Sequence, residues 1–156
     1  MKRLIAFVLF ALFISCSSDS SSTEEENEIS TEELLVNGSP WTFSEYLIDE
    51  VLNTNGFDLM ESDINNQIQR ENESNNGLTL EFNSDGTGTT NQAEDFQWEL
   101  IPDDSIRLTF TPTEISEAQL SVSESEMILG FPDEFEVPVS DGTVRGIEIN
   151  ASLVFN

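Results

Sequence analysis

The stretch Ile147-Glu-Ile149-Asn-Ala151-Ser-Leu153-Val-Phe155 decides the fold. Apolar and polar side chains take turns along it, and a period of two puts one set on a buried face and the other in water. The same alternation runs through Leu78-Thr-Leu80-Glu-Phe82, Phe96-Gln-Trp98-Glu-Leu100 and Ile106-Arg-Leu108-Thr-Phe110. It returns in Leu120-Ser-Val122, Met127-Ile-Leu129-Gly-Phe131 and Phe135-Glu-Val137-Pro-Val139. An early strand is expected at Trp41–Ile48. Alternation of this kind belongs to antiparallel strands with one solvated face, not to a parallel sheet covered on both sides.

The punctuation agrees. Asn83-Ser-Asp-Gly86 reads as a tight turn with Gly86 at the positive-φ position, and Pro102-Asp-Asp-Ser105, Ser123-Glu-Ser125 and Ser140-Asp-Gly142 separate later strands. Turn signals this close together indicate an all-β meander, sandwich or barrel. Pro138 inside a strand pattern marks an edge or a bulge. Between Asn53 and Gly77, the residues Leu59, Met60, Ile64 and Ile68 have helical spacing and predict one short helix over about 59–71. No repeat of a length seen in solenoids is evident.

Charge narrows the function. Among 156 residues there are 31 Asp and Glu against 5 Lys and Arg, for a net charge of −26. No basic stripe exists to neutralise phosphates, so nucleic acid is not an expected partner. The chain has no His, which removes a Ser-His-Asp triad, a Cys-His pair and an imidazole metal site. Its single Cys excludes an intrachain disulfide.

That Cys follows a basic Met1-Lys2-Arg3 and an apolar run, Leu4–Ile14, which is too short to span a bilayer as a helix. The pattern is that of an export signal. It looks like a bacterial lipoprotein signal, which implies removal of residues 1–15 and lipidation of Cys16. Two or three acyl chains would anchor the protein stably to a membrane. Residues 16–33, Ser-rich and acidic, are expected to be a disordered tether, because they bury too little apolar surface to offset chain entropy. The folded domain is expected over 34–156. The Ser/Asp/Glu run after Cys16 is similar to the export tag of surface lipoproteins, so the expected location is the outer membrane, on the cell surface or the periplasmic face.

The domain resembles the lipocalin-like domains of small Bacteroidota lipoproteins. The residues that carry this are Asn37-Gly38-Ser-Pro-Trp41-Thr-Phe43, the hairpin Leu78-Thr-Leu-Glu-Phe82-Asn-Ser-Asp-Gly-Thr-Gly-Thr89, and Phe96-Gln-Trp98 after it. The resemblance covers most of residues 34–156. It implies an up-and-down β-barrel or a cupped sheet and leaves the activity open.

Several side chains are candidates for function. Trp41, Phe82, Trp98 and Phe110 either line a ligand cavity or fill the core, since an eight-stranded barrel is just wide enough for either. Ser105, in Asp104-Ser105-Ile106, is a candidate O-glycosylation acceptor. Arg107 and Arg145 sit on polar registers and are expected to pair with acids across strands. The pairs Glu94-Asp95, Asp103-Asp104 and Asp133-Glu134 are expected to be solvated acids. No specific metal or other cofactor is expected. Weak, diffuse binding of divalent cations is expected, because so large a net charge strains the compact state. The function expected from the sequence is non-catalytic binding, either of a small apolar ligand in the barrel or of an envelope protein or glycan on its rim. The alternatives are an assembly accessory with a filled core and a carboxylate-based hydrolase of envelope polymers, which needs two carboxyls facing each other across a cleft.

Overall fold

The computed structural model describes residues 29–92, 94–111, 114–138 and 143–156. The expected signal peptide, Cys16, the first part of the tether, Val139 and the Ser140-Asp-Gly142 turn lie outside these described residues. Eight antiparallel strands follow one another around a closed barrel: β1 (Trp41–Asn53), β2 (Thr79–Phe82), β3 (Thr87–Thr90), β4 (Asp95–Ile101), β5 (Ser105–Thr111), β6 (Glu114–Val122), β7 (Met127–Pro138) and β8 (Val144–Phe155). Helix α1 (Thr31–Gly38) precedes β1, and helix α2 (Glu61–Ser74) links β1 to β2.

The alternation read in the sequence is the alternation of burial. Ile147, Ile149, Ala151 and Phe155 of β8 are buried, as are Phe96 and Trp98 of β4 and Ile106 and Leu108 of β5. The turns form as their chemistry requires. Gly86 has φ of 81°, and Asp103 and Asp104 take 66° and 51° in the hairpin that joins β4 to β5. These two residues close the three-residue loop over 102–104, where Ile101 faces Ser105.

Two stretches expected as separate strands are one. β7 keeps a single register against β8 from Met127↔Phe155 to Pro138↔Val144, so Phe131 and Phe135 belong to the same inner face. β6 pairs with β7 only as far as Gln119↔Gly130. Pro132, which has no N–H to donate, therefore falls where β7 has no β6 partner, and Pro138 is the last residue of the strand. Pro138 thus has the expected edge character, and no bulge occurs there.

The expected helix forms slightly later than its spacing suggested, over Glu61–Ser74. Asp63 Oδ2 accepts the Met60 N–H at 3.0 Å and starts it, and the Asn75 N–H closes it on the Glu71 carbonyl. This helix repairs a mismatch in strand length. β1 has 13 residues and β2 only 4, and the two pair only at Trp41 and Thr42. Farther along β1, Asn72 of α2 accepts the Tyr46 backbone N–H at 2.7 Å. Phe57, Leu59 and Ile68 pack against the core from the same segment.

Helix α1 was not expected, and it corrects the boundary of the tether: residues 31–33 are helical. Ser30 and Glu33 cap it reciprocally, the Ser30 hydroxyl accepting the Glu33 N–H at 3.2 Å and Glu33 accepting the Ser30 N–H at 3.0 Å. Leu35 is buried in the core. Its carbonyl accepts both the Trp41 indole N–H at 2.8 Å and the Ser39 hydroxyl at 2.9 Å, and Ser39 in turn accepts the Phe82 N–H. The Trp41 ring lies where a Cβ on Gly38 would stand, so only glycine lets helix and strand meet this closely.

Candidate functional site

Where β6 and β7 part, an apolar cavity of about 390 Å³ opens into the barrel. Leu108 and Phe110 of β5 and Ala118 of β6 form one side of it. Leu129 and Phe131 of β7, Leu153 and Phe155 of β8, and Leu78 and Leu80 at the start of β2 form the other. Ser116, Glu117 and Pro132 stand at the gap itself. A cavity in this size range, with apolar walls and few polar groups, has the character of a small-molecule site. A larger hollow of about 690 Å³ lies over Thr87, Gln97 and Thr109, on the outward-facing registers of β3–β5, with Phe96 and Phe110 also in its lining.

Of the four aromatic residues singled out in the sequence, Phe110 lines this cavity. Trp41, Phe82 and Trp98 do not. They sit in a filled part of the core, where Phe82 meets Phe96 edge-on at 5.4 Å and Trp98 at 5.6 Å. The Trp98 indole N–H is spent on the carbonyls of Asn83 and Thr87.

Ser105 is 7% exposed. Its hydroxyl donates to the Asp103 carbonyl at 3.2 Å and accepts from the Gln119 amide at 2.8 Å. A hydroxyl occupied on both sides and shielded in this way is not available to a glycosyl donor once the barrel has formed.

Arg107 does what its register implied. It lies between Glu99 on β4 and Glu117 on β6, and pairs with both. These two acids, donating no proton and accepting from the guanidinium, raise its pKa further above the ordinary arginine value.

One inward group was not singled out in the sequence. Tyr46 is 1% exposed, and its hydroxyl donates to Asp133 Oδ2 at 3.0 Å. Burial pushes the phenol well above its ordinary range, and the charges of Asp133 and Glu71 push it the same way. The hydroxyl therefore stays protonated and acts as a donor. Gln67 of α2 reaches the same group and also donates to Glu71 at 3.0 Å, while Arg70 donates to the Gln67 carbonyl. A register shift between Phe43 and Glu45 turns Tyr46 inward, and a strict period of two would have placed Glu45 there instead.

The remaining acids are dispersed. Glu94, Asp95, Asp103, Asp104 and Glu134 are exposed, and Asp133 is half-buried. Among the described residues, no group of three potential metal ligands comes together, and no helix is long and apolar enough to cross a membrane. No protein-family model, curated protein or solved structure matches the chain.

Proposed function

We propose that this protein is a lipid-anchored, non-catalytic binding protein of the cell envelope whose barrel holds a small apolar ligand. The observation that carries the reading is the 390 Å³ cavity, walled by leucine and phenylalanine and open through the side of the barrel between β6 and β7. Desolvating an apolar molecule there contributes roughly 25 cal/mol for each Å² removed from water. The anchor is read from the sequence, in which the only Cys stands directly behind a short apolar leader. The lipocalin-like resemblance agrees with an anchored barrel and leaves its ligand open.

The cavity is tested with N-phenylnaphthylamine, a neutral dye that fluoresces in apolar surroundings. Saturable enhancement at one site per chain is the expected result, lost in Ala118→Trp, whose indole would occupy the space beside Phe110. A dye signal that does not saturate, or that Ala118→Trp leaves intact, overturns the reading. The anchor is tested separately by fatty-acid labelling in cells. Label in the native protein and none in Cys16→Ser is expected, with the variant leaving the membrane fraction.

A further inference from the structure

We propose that the ligand is an amphiphile with an apolar body and a cationic amine head, the body lying between Phe110 and Leu153 and the head meeting the carboxylate of Asp133. This rests on the cavity being a ligand site and adds the class of ligand. The geometry begins at the gap. β6 and β7 are paired from Val122↔Met127 to Gln119↔Gly130, and β7 then runs on with β8 as its one partner. Phe131 and Pro132 border the cavity at that point. The next inward position along β7 after Phe131 is Asp133, and the one after that is Phe135, which is buried. An acid therefore interrupts the apolar inner face one inward position beyond Phe131, next in the chain to the Pro132 that borders the cavity and itself outside the cavity's lining.

Asp133 is half-buried, and a carboxylate in that position is free to take a charge-assisted hydrogen bond from a cation. The partners it has are neutral: the Tyr46 hydroxyl on Oδ2 and the Glu134 N–H on Oδ1. The two ion pairs among the described residues both belong to Arg107, on the outer face. Arg70, on the nearby helix, gives its guanidinium to the Gln67 carbonyl. Glu71 adds a second negative charge acting on the same Tyr46 hydroxyl. An ammonium group placed here completes the set of charges, whereas a carboxylate head would meet two acids of its own sign. The net charge of −26 acts in the same direction at longer range.

The experiment uses protein carrying Cys16→Ser, which keeps every described residue and avoids detergent. Dodecylamine, dodecanol and dodecanoate compete with N-phenylnaphthylamine at neutral pH. Dodecylamine is expected to displace the dye roughly tenfold or more better than dodecanol, as a charge-assisted hydrogen bond allows, and dodecanoate worse than either. Asp133→Asn should bring the amine down to about the level of the alcohol. Tyr46→Phe, which keeps the carboxylate, should preserve the preference. An amine that binds no better than the alcohol overturns the proposal. So does a preference that survives undiminished in Asp133→Asn, because the long-range field of the chain would then be its source. Should Asp133→Asn not fold, salt decides on the native side chains: a preference that persists at high ionic strength belongs to a shielded contact, and one that vanishes overturns the proposal. If neither dye nor dodecanol binds at all, it is the cavity reading that fails.

Discussion

The two sides of this barrel obey the same alternation and reach opposite results. Around β2–β4 the strands are short, the inward residues are Phe82, Phe96 and Trp98, and the rings close on one another. The Phe96 ring even occupies the space above Gly88, where an added Cβ would stand 2.2 Å from it. Across β5–β8 three leucines, three phenylalanines and Ala118 face one another around a cavity instead of closing on it. Strand length makes the second difference. β7 and β1 have 12 and 13 residues and outrun β6 and β2, which flank them on their outer sides, while β8 pairs with both long strands. Helix α2 makes good the shortfall beside β1, but the gap between β6 and β7 stays open. Period therefore specifies most of the residues that face inward, with Tyr46 the exception its register shift makes, while strand length decides where the wall stays open.

The sharpest test of that contrast is Phe82→Ala, expected to cost about 3–5 kcal/mol in urea unfolding, since a packed ring site collapses poorly. Phe110→Ala should cost less, because one side of that ring already borders empty space; equal losses would break the distinction. Adding atoms should separate the halves in the opposite sense. Gly88→Ala is expected to lose about 1–3 kcal/mol, as the Phe96 ring and the Glu81 carbonyl crowd the new methyl group. Ala118→Leu, at the cavity wall, should lose little or nothing in the same assay while weakening dye binding.

Smaller effects concern the helix that closes the filled side. Ser30→Ala removes the cap of α1 and should cost about 1 kcal/mol, read as a lower urea midpoint. The cap is also sensitive to acid. Hydrogen bonds from Ser30 hold the Glu33 carboxyl below its ordinary value of 4.5. Because the folded form has the lower pKa, the stabilisation is complete above that ordinary value and fades as pH falls through the lower, folded one. Comparing acid titrations of the native protein and Glu33→Gln by circular dichroism should show this dependence only in the former. The smallest effect expected is a gain. Asp104→Gly, at a position with φ of 51°, relieves a left-handed non-glycine residue and should raise the melting temperature slightly.

The strands that matter most for the fold were legible because their inner faces alternate without interruption, as in β8. The capping box of α1 was legible too, in Ser30-Thr-Glu-Glu33 just ahead of Leu34 and Leu35, but the acidic run before it concealed the change from tether to helix. The cavity was legible only in part. Phe110 and the bulky residues of β2 and β4 look alike in a pattern of period two, and what sorts them is how far each neighbouring strand extends. Tyr46 and Asp133 could not be paired from the sequence, because one depends on a register shift in β1 and the other on β7 running straight through Pro132. Neither irregularity has a local signature as clear as a turn glycine.

The seam between β1 and β8 has a consequence for how the molecule comes into being. Phe43 lies opposite Phe155, and Ser152 donates to Asp49 at 2.6 Å across a separation of 103 residues. β8 also holds the whole length of β7. A chain emerging from its N-terminal side can form the central hairpins one after another, yet it has no closed wall until β8 arrives to join first strand to last. Loop-closure entropy makes that step slow compared with the local hairpins, so the hairpins exist before the barrel does and the wall closes only once β8 is in place.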